Sequence, residues 1–374
     1  MHNQPRDHSD PVVFSLNTTL QSPRAEQTNG VKEEINMDNI NITPEYTLRP
    51  FTLEDAEATV SLFNACSIAR IGVKESDLKD NLNEWTAPGF DLETCCRVLV
   101  TPAGEIVGYV DLWDIDAPHV VKYCYFELHP DHWDDQLALW LLEWAEEIAR
   151  NRIGLAPEGT RVVLSEGTNH GDLDRHRVFT AAGFHCARTF YRMVIDLPQS
   201  PTAPILPEGI IIKPIDMDTQ FRDAIMAGVE AFQDHWGVVE KTEQDTLSFW
   251  RHRLDNDPEF DPSLWFLAMD GAQIAGLCMC WPKLTEDPGM GWVGQLAVRR
   301  PWRKSGLGLA LLQHAFCEFS KRGQPRVGLN VDADSLTDAT RLYTKAGMHI
   351  ARQLDVYHKE LRPGINLATE AINT

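Results

Sequence analysis

At 374 residues, 43% of them hydrophobic, the chain is too long for one ordinary domain and too apolar for a disordered one, so two folded domains are expected. Its 55 acidic residues outnumber 34 basic ones, and the net charge of −21 argues against nucleic acid or an anionic membrane as a partner. No apolar run approaches the ~18 residues of a membrane span, no basic-then-apolar signal opens the chain, and the eight cysteines lack C-x-x-C spacing, so a reduced cytoplasmic protein is expected.

Residues 1–44, rich in Asn, Gln, Ser, Thr and Pro with no apolar period, read as a flexible N-terminal tail. Thr47-Leu-Arg-Pro-Phe51 is a short strand, and Thr52-Leu-Glu-Asp55 has the Thr-x-x-acid pattern that opens a helix. Arg97–Val100 and Ile106–Leu112 flank a Pro-Ala-Gly turn and form a hairpin. A strand over Val121–Leu128 feeds a helix over Gln136–Arg150. Then come a strand at Arg161–Leu164, a helix over Arg175–Ala182 stopped by Gly183, and a strand over Ala187–Leu197. The proline-rich stretch 199–207 is the linker that ends a first domain, 45–198.

After the linker the same programme recurs over 208–362, before a C-terminal tail, 363–374. Ile211-Ile-Lys-Pro-Ile215 answers Thr47-Leu-Arg-Pro-Phe51, and Arg326-Val-Gly-Leu329 answers Arg161-Val-Val-Leu164. Arg341-Leu-Tyr-Thr-Lys-Ala-Gly347, in a helix over Thr337–Ala346, answers Arg177-Val-Phe-Thr-Ala-Ala-Gly183. Strands alternating with helices and hairpins imply an α/β fold with a mixed sheet and helices on both faces.

Chemistry concentrates where the strand Gly291–Val298 runs into Arg299-Arg-Pro-Trp-Arg-Lys-Ser-Gly306-Leu-Gly308 and a helix. Two glycines at a helix mouth leave backbone N–H groups open to an anion at the positive end of the helix dipole. Arg299, Arg300, Arg303 and Lys304 add charge for a diphosphate. A P-loop needs a lysine directly after its last glycine, where Leu307 stands. A dinucleotide fingerprint needs a third glycine and a shorter loop. In the first copy the aligned residues Trp133, Asp134, Gln136 and Ala138 stand for Arg303, Lys304, Gly306 and Gly308, and Asp131, Asp134 and Asp135 repel a diphosphate. His129 and His132 beside them read as part of a charged first helical turn rather than as metal ligands.

Arg303-Lys-Ser-Gly306-Leu-Gly308, preceded by Leu296-Ala-Val298, resembles the R/Q-x-x-G-x-G/A acyl-CoA signature and fourth strand of the GCN5-related N-acetyltransferase (GNAT) family. The resemblance covers residues 46–362. It implies two tandem GNAT-like domains, each a mixed, mostly antiparallel sheet flanked by helices, the first degenerate and the second catalytic. The tandem layout looks like that of the mycothiol synthases, with Ala231-Phe-Gln-Asp-His235, Phe260-Asp-Pro262 and Val331-Asp-Ala-Asp334 similar to that group.

What the resemblance implies for function is an N-acyltransferase using acetyl-CoA and no metal. It would transfer the acyl group directly to a small-molecule or peptide amine, as a monomer or homodimer. By the same resemblance the backbone of Leu296 and Val298 bonds the pantetheine, the Ala297 N–H lies near the thioester carbonyl, and Arg303, Lys304, Ser305, Gly306, Leu307 and Gly308 surround the diphosphate. Tyr343 is the implied general acid for the departing thiolate; Phe179 replaces it in the first copy. Some relatives carry a glutamate base on the fourth strand, where this chain has Trp292, Gly294 and Gln295. Glu230, Asp234 and His235 are the alternative bases or acceptor-pocket residues. Two other classes stay open: a CoA-binding sensor or interaction module without turnover, and a nucleotide-dependent oxidoreductase.

Overall fold

The computed structural model describes residues 45–369, except 88, 116, 256, 258, 285 and 336–338. The expected N-terminal tail and the first two residues of the helix expected at Thr337 lie outside the described residues.

In chain order the strands are β1 (Thr47–Pro50), β2 (Cys96–Val100), β3 (Ile106–Trp113), β4 (Val121–Leu128), β5 (Val162–Asn169) and β6 (His185–Asp196). The second copy supplies β7 (Ile210–Pro214), β8 (Trp265–Asp270), β9 (Gln273–Trp281), β10 (Met290–Val298), β11 (Arg326–Asp332) and β12 (His349–Arg362). The helices are α1 (Ala56–Ile71), α2 (Leu78–Trp85), α3 (Leu92–Cys95), α4 (Asp135–Asn151), α5 (Leu173–Ala181), α6 (Met217–Phe232), α7 (Glu243–Asp255), α8 (Leu307–Lys321) and α9 (Ala339–Lys345). Aspartates start most of them: Asp77, Asp91, Asp134, Asp172 and Asp216 each accept a hydrogen bond from a first-turn N–H. The helix α8 has Gly306 at its N-cap and no capping side chain.

All twelve strands form one sheet in the order β1-β2-β3-β4-β5-β12-β6-β11-β10-β9-β8-β7. The last strand of each copy is exchanged. β12 pairs with β5 of the first copy, β6 pairs with β11 of the second, and the two exchanged strands pair with each other. The β4–β5 and β10–β11 pairs are parallel and the other neighbours antiparallel, the mixed but mostly antiparallel sheet expected.

Helices cover both faces because the strands bury alternate residues on each. On one face Val293, Val327 and Leu329 pack with Leu311, Leu312 and Phe316 of α8. On the other, Trp265, Leu267 and Trp292 pack with Ala224 and Ile225 of α6 and Trp250 of α7. The first copy repeats the scheme, Phe126 and Leu164 meeting α4 and α5, Val98 and Tyr109 meeting α1.

Both parallel pairs open into a slot. β10 and β11 are in register only from Met290–Trp292 against Arg326–Gly328, after which β10 follows β9 and β11 follows β6. β4 and β5 likewise touch only from Val121–Tyr123 against Val163–Ser165. In β10 the departure is built in by a bulge between Val293 and Gln295. Its centre, Gly294, is obligatory, since an added Cβ would lie 2.4 Å from Cζ3 of Trp281.

Candidate functional site

The slot between β10 and β11 and the mouth of α8 form one continuous cradle. Gly306 has φ +86°, which strains any other residue but Asn or Asp, and a Cβ there would meet nothing within 4 Å, so its outer side is open. Lys304, also left-handed at φ 63°, and Ser305 are exposed beside it. With no side chain in the cap position, the first-turn N–H groups of α8 face outward at the positive end of its dipole. Gly308 serves a different purpose. A Cβ there would come 3.0 Å from Leu342 Cδ1 and 3.7 Å from Val298 Cγ2, so its absence lets α8 sit tightly against α9 and β10.

The slot edge of β10 follows from strand alternation. Arg299 N–H donates to the Ala275 carbonyl on β9, which places the backbone of Ala297 toward β9 too, consistent with its carbonyl lying 2.7 Å from a Cβ built on Gly276. The backbone groups facing the slot are therefore those of Leu296 and Val298. The expected place of the Ala297 N–H beside the thioester is corrected by this geometry: it points away from the slot, and the neighbouring Leu296 N–H faces it.

Three of the four arginine and lysine side chains assigned to the diphosphate are engaged elsewhere. Arg299 pairs with Glu230 (2.6 Å), Arg300 with Asp234 (2.5 Å), and Arg303 with Asp234 (3.2 Å). Arg303 also donates to the carbonyls of Val298 (3.1 Å) and Ala231 (2.9 Å), so it ties the loop to the end of α6 and occupies the Val298 carbonyl. Lys304 takes no part in these pairs.

The same pairs engage two of the expected bases. Hydrogen bonding to Arg300, with Arg303 adding to it, holds the Asp234 carboxyl below the usual range, which makes it a poor proton acceptor. Glu230 is clamped by Arg299. His235 is different: burial holds its imidazole below the ordinary value of 6.5, so it is neutral at pH 7, and its ring packs on Phe232 at 4.6 Å. Asp332 at the slot end of β11 is its foremost charged neighbour.

Tyr343 lies buried among Leu307, Leu311, Val331 and Met348, where α9 meets the cradle. Burial pushes its phenol well above the ordinary value, so it stays protonated and able to donate. Side chains that sequence reasoning missed arrive on the exchanged strand β6. Arg192 reaches Glu286 (3.0 Å) and lies over the ring of Trp292 (5.3 Å), and Arg188 holds Asp332 through two bonds of 2.8 and 2.7 Å. Trp236, just after α6, stacks on His358 of β12 at 5.4 Å. No local signal placed the first copy's residues there.

In the first copy both halves of the cradle are filled. Asp134 is the N-cap of α4 and accepts from the N–H groups of Gln136 and Leu137, occupying the mouth that Gly306 leaves open. This also corrects the alignment: the loop from Val298 to Gly306 is two residues longer, and Asp134, not Gln136, is the counterpart of Gly306. Asp135 pairs with Arg177 (2.6 Å). The β4–β5 slot holds the guanidinium of Arg175, which donates to the Phe126 carbonyl (2.9 Å) and to Glu166 (2.5 Å), and lies 3.7 Å from Glu127. Phe126 answers Leu296, so Arg175 takes the backbone group a pantetheine would use. Burial pushes the Glu166 carboxyl up to about 8 while Arg175 opposes it; against the same burial, Arg70 and Arg175 hold Glu127 below the usual range. Ala339 answers Arg175 in the second copy, so the guanidinium that plugs the first slot has no counterpart at that position.

The sequence profile of the Acetyltransferase (GNAT) family matches twice, over residues 58–184 and 227–348. The chain belongs to this family. It is an N-acetyltransferase by that membership. A GCN5-related N-acetyltransferase from Sphaerobacter thermophilus is 32% identical, with a TM-score of 0.74 over 88% of this chain and 100% of that one. A mycothiol acetyltransferase of Streptomyces scabiei is 27% identical over 255 residues, 67% of this chain and 75% of the relative. A tandem GNAT protein from the clavulanic acid biosynthesis pathway, 16% identical with a TM-score of 0.64, shares the fold over 86% of this chain and 100% of its own. Among the described residues no helix is long and apolar enough to cross a membrane.

Proposed function

We propose that this GNAT protein uses acetyl-CoA as donor and that the second copy alone binds it, transferring the acetyl group directly to an amine. The observation that carries this reading is the inequality of the two cradles. In the second copy Gly306 leaves the mouth of α8 without a capping side chain and Ala339 stands where Arg175 would plug the slot; in the first, Asp134 and Arg175 fill the same two places.

The diphosphate rests on the N–H groups from Gly306 to Leu309, with the Lys304 ammonium as the mobile counter-charge. The pantetheine pairs along the slot edge of β10, and the Leu296 N–H polarises the thioester carbonyl and steadies the oxyanion. The amine nitrogen attacks that carbon, its C–S bond to coenzyme A then breaks, and Tyr343 gives its phenolic proton to the departing thiolate. The amine's own proton leaves through water to His235, the one of the three candidates that is neither ion-paired nor charged at neutral pH. Solvent restores the Tyr343 proton.

The acceptor enters from the α6 face, where Trp292, Arg192, Glu286 and Trp236 mix aromatic surface with charges of both signs, suiting a polar small-molecule or peptide amine. The mycothiol acetyltransferases among the relatives make a mycothiol-type acceptor the first to try. The test is purified protein with acetyl-CoA and a panel of such amines, following free thiol. Thiol release dependent on one amine supports the reading; coenzyme A binding without amine-dependent release from any of them leaves a sensor.

A further inference from the structure

On the first copy, the turn after β5 and the first turns of α5 bring together two histidines and a buried carboxylate contributed by the other copy. His170 Nδ1 lies 2.6 Å and His176 Nε2 3.8 Å from Oδ2 of Asp355 on β12, and the three donor atoms lie within 4.8 Å of one another. Asp355 is 4% exposed, yet among the described residues its ion-pair partners are imidazoles, not a lysine or arginine.

The surroundings hold the two inner donors by their other atoms. The Tyr357 hydroxyl lies 2.7 Å from His176 Nδ1, and the Thr189 hydroxyl donates to Asp355 Oδ1 at 2.7 Å. His176 Nε2 also lies 2.9 Å from the His170 carbonyl, which can only accept, so Nε2 carries a proton, Nδ1 accepts from the Tyr357 hydroxyl, and a metal bound at Nε2 would displace that proton. The Tyr357 and Thr189 hydroxyls thus orient the ring and the carboxylate from their outer sides, as hydrogen bonds behind metal ligands do. A plain ion pair would need one histidine; here a second closes on the same oxygen. The set is also particular to this seam, because Thr340 answers His176 and Tyr191 answers Asp355 in the second copy.

We propose that His170, His176 and Asp355 form a transition-metal site that clamps α5 of the first copy to the strand lent by the second. Two imidazoles and one carboxylate are borderline donors that suit Zn²⁺ and its neighbours rather than Mg²⁺ or Ca²⁺, which prefer oxygen alone. Solvent completes the coordination on the exposed side of His170. Sequence alone gave no such pattern, since His176 and Asp355 are far apart along the chain and meet only through the strand exchange.

The test uses the full chain, tag removed and chelator-stripped, dialysed against Zn²⁺ or Co²⁺. The expected result is one Zn²⁺ per chain and a Co²⁺ visible spectrum of a low-coordinate nitrogen–oxygen site. Affinity should fall at least tenfold in His170→Gln, His176→Ala and Asp355→Asn, with wild-type uptake in His132→Gln. Acetyl-CoA binding by each variant checks that it is folded, and His170→Gln, altering the most exposed member, keeps the test available if Asp355→Asn does not fold. Absence of stoichiometric uptake, uptake unchanged in folded His170→Gln and His176→Ala, or uptake lost in His132→Gln would overturn the site.

Discussion

Arg303 sits at the signature position that suggests a diphosphate ligand, yet its guanidinium spans Val298, Ala231 and Asp234 and fastens the loop to α6. Residue type and spacing made the glycine mouth of α8 legible; the partners of its arginines were not, because they come from α6 and the residues just after it, some seventy residues upstream. In the proposed reading the donor's diphosphate is left the glycine cap and its N–H groups. Gly306→Glu puts a carboxylate and a strained φ there, and coenzyme A binding measured by calorimetry should be lost. Tyr343→Phe keeps the packing of a buried ring while removing the proton donor. Coenzyme A should bind it as before and turnover should drop about a hundredfold; equal loss of binding in both variants contradicts the acid role. His235 adds a pH signature. Its imidazole is depressed by burial, so the base form persists as pH falls through 6.5 and is lost only below it. The kcat/KM profile should therefore turn down below the ordinary histidine range, and His235→Gln should be slower throughout with that limb flattened. A limb unchanged in the variant would assign it to another group.

Between helices α4 and α8 the contrast lies in what closes the first turn. An aspartate cap typically stabilises a helix by about 1 kcal/mol, and α4 uses it; α8 forgoes it and leaves its first-turn N–H groups uncapped. The repeat and the acidic replacement could be read from the sequence, as could most strands and helices. Two things could not be read: the two-residue difference in loop length, which shifts Asp134 onto the cap, and the reach of Arg175 across a slot. Arg175 is buried over the Phe126 ring at 4.1 Å with Glu166 and Glu127 around it. Removing one member of such a network leaves uncompensated buried charge, so Arg175→Met should lose about 3 kcal/mol in denaturant unfolding. Opening this slot should not create a second donor site, because Asp134 still fills the helix mouth. Titration should give one coenzyme A per chain before and after the change; a second equivalent would show that the plug, not the cap, decides.

Across the whole molecule the two copies are legible as a repeat, but their exchange of final strands is not. β6 and β12 carry similar patterns, and local periodicity is satisfied equally whichever copy each strand completes; the choice depends on pairings between distant segments. The consequence is that the chain has a linker without having separable halves. Exposed Ile205 marks a stretch open to a protease, while on either side of it β6 is held by both β11 and β12. Inserting a cleavable sequence at 204–206 and cutting it should leave one particle on gel filtration, still binding coenzyme A and unfolding in one cooperative transition. The second copy expressed alone from residue 208 lacks β6, so β11 keeps an unpaired edge beside the donor slot and β12 has lost both neighbours. It should be insoluble or molten until the first copy is supplied. Separation of the cut halves under native conditions, or an independently folded second copy with full activity, would mean that each copy can take back its own final strand.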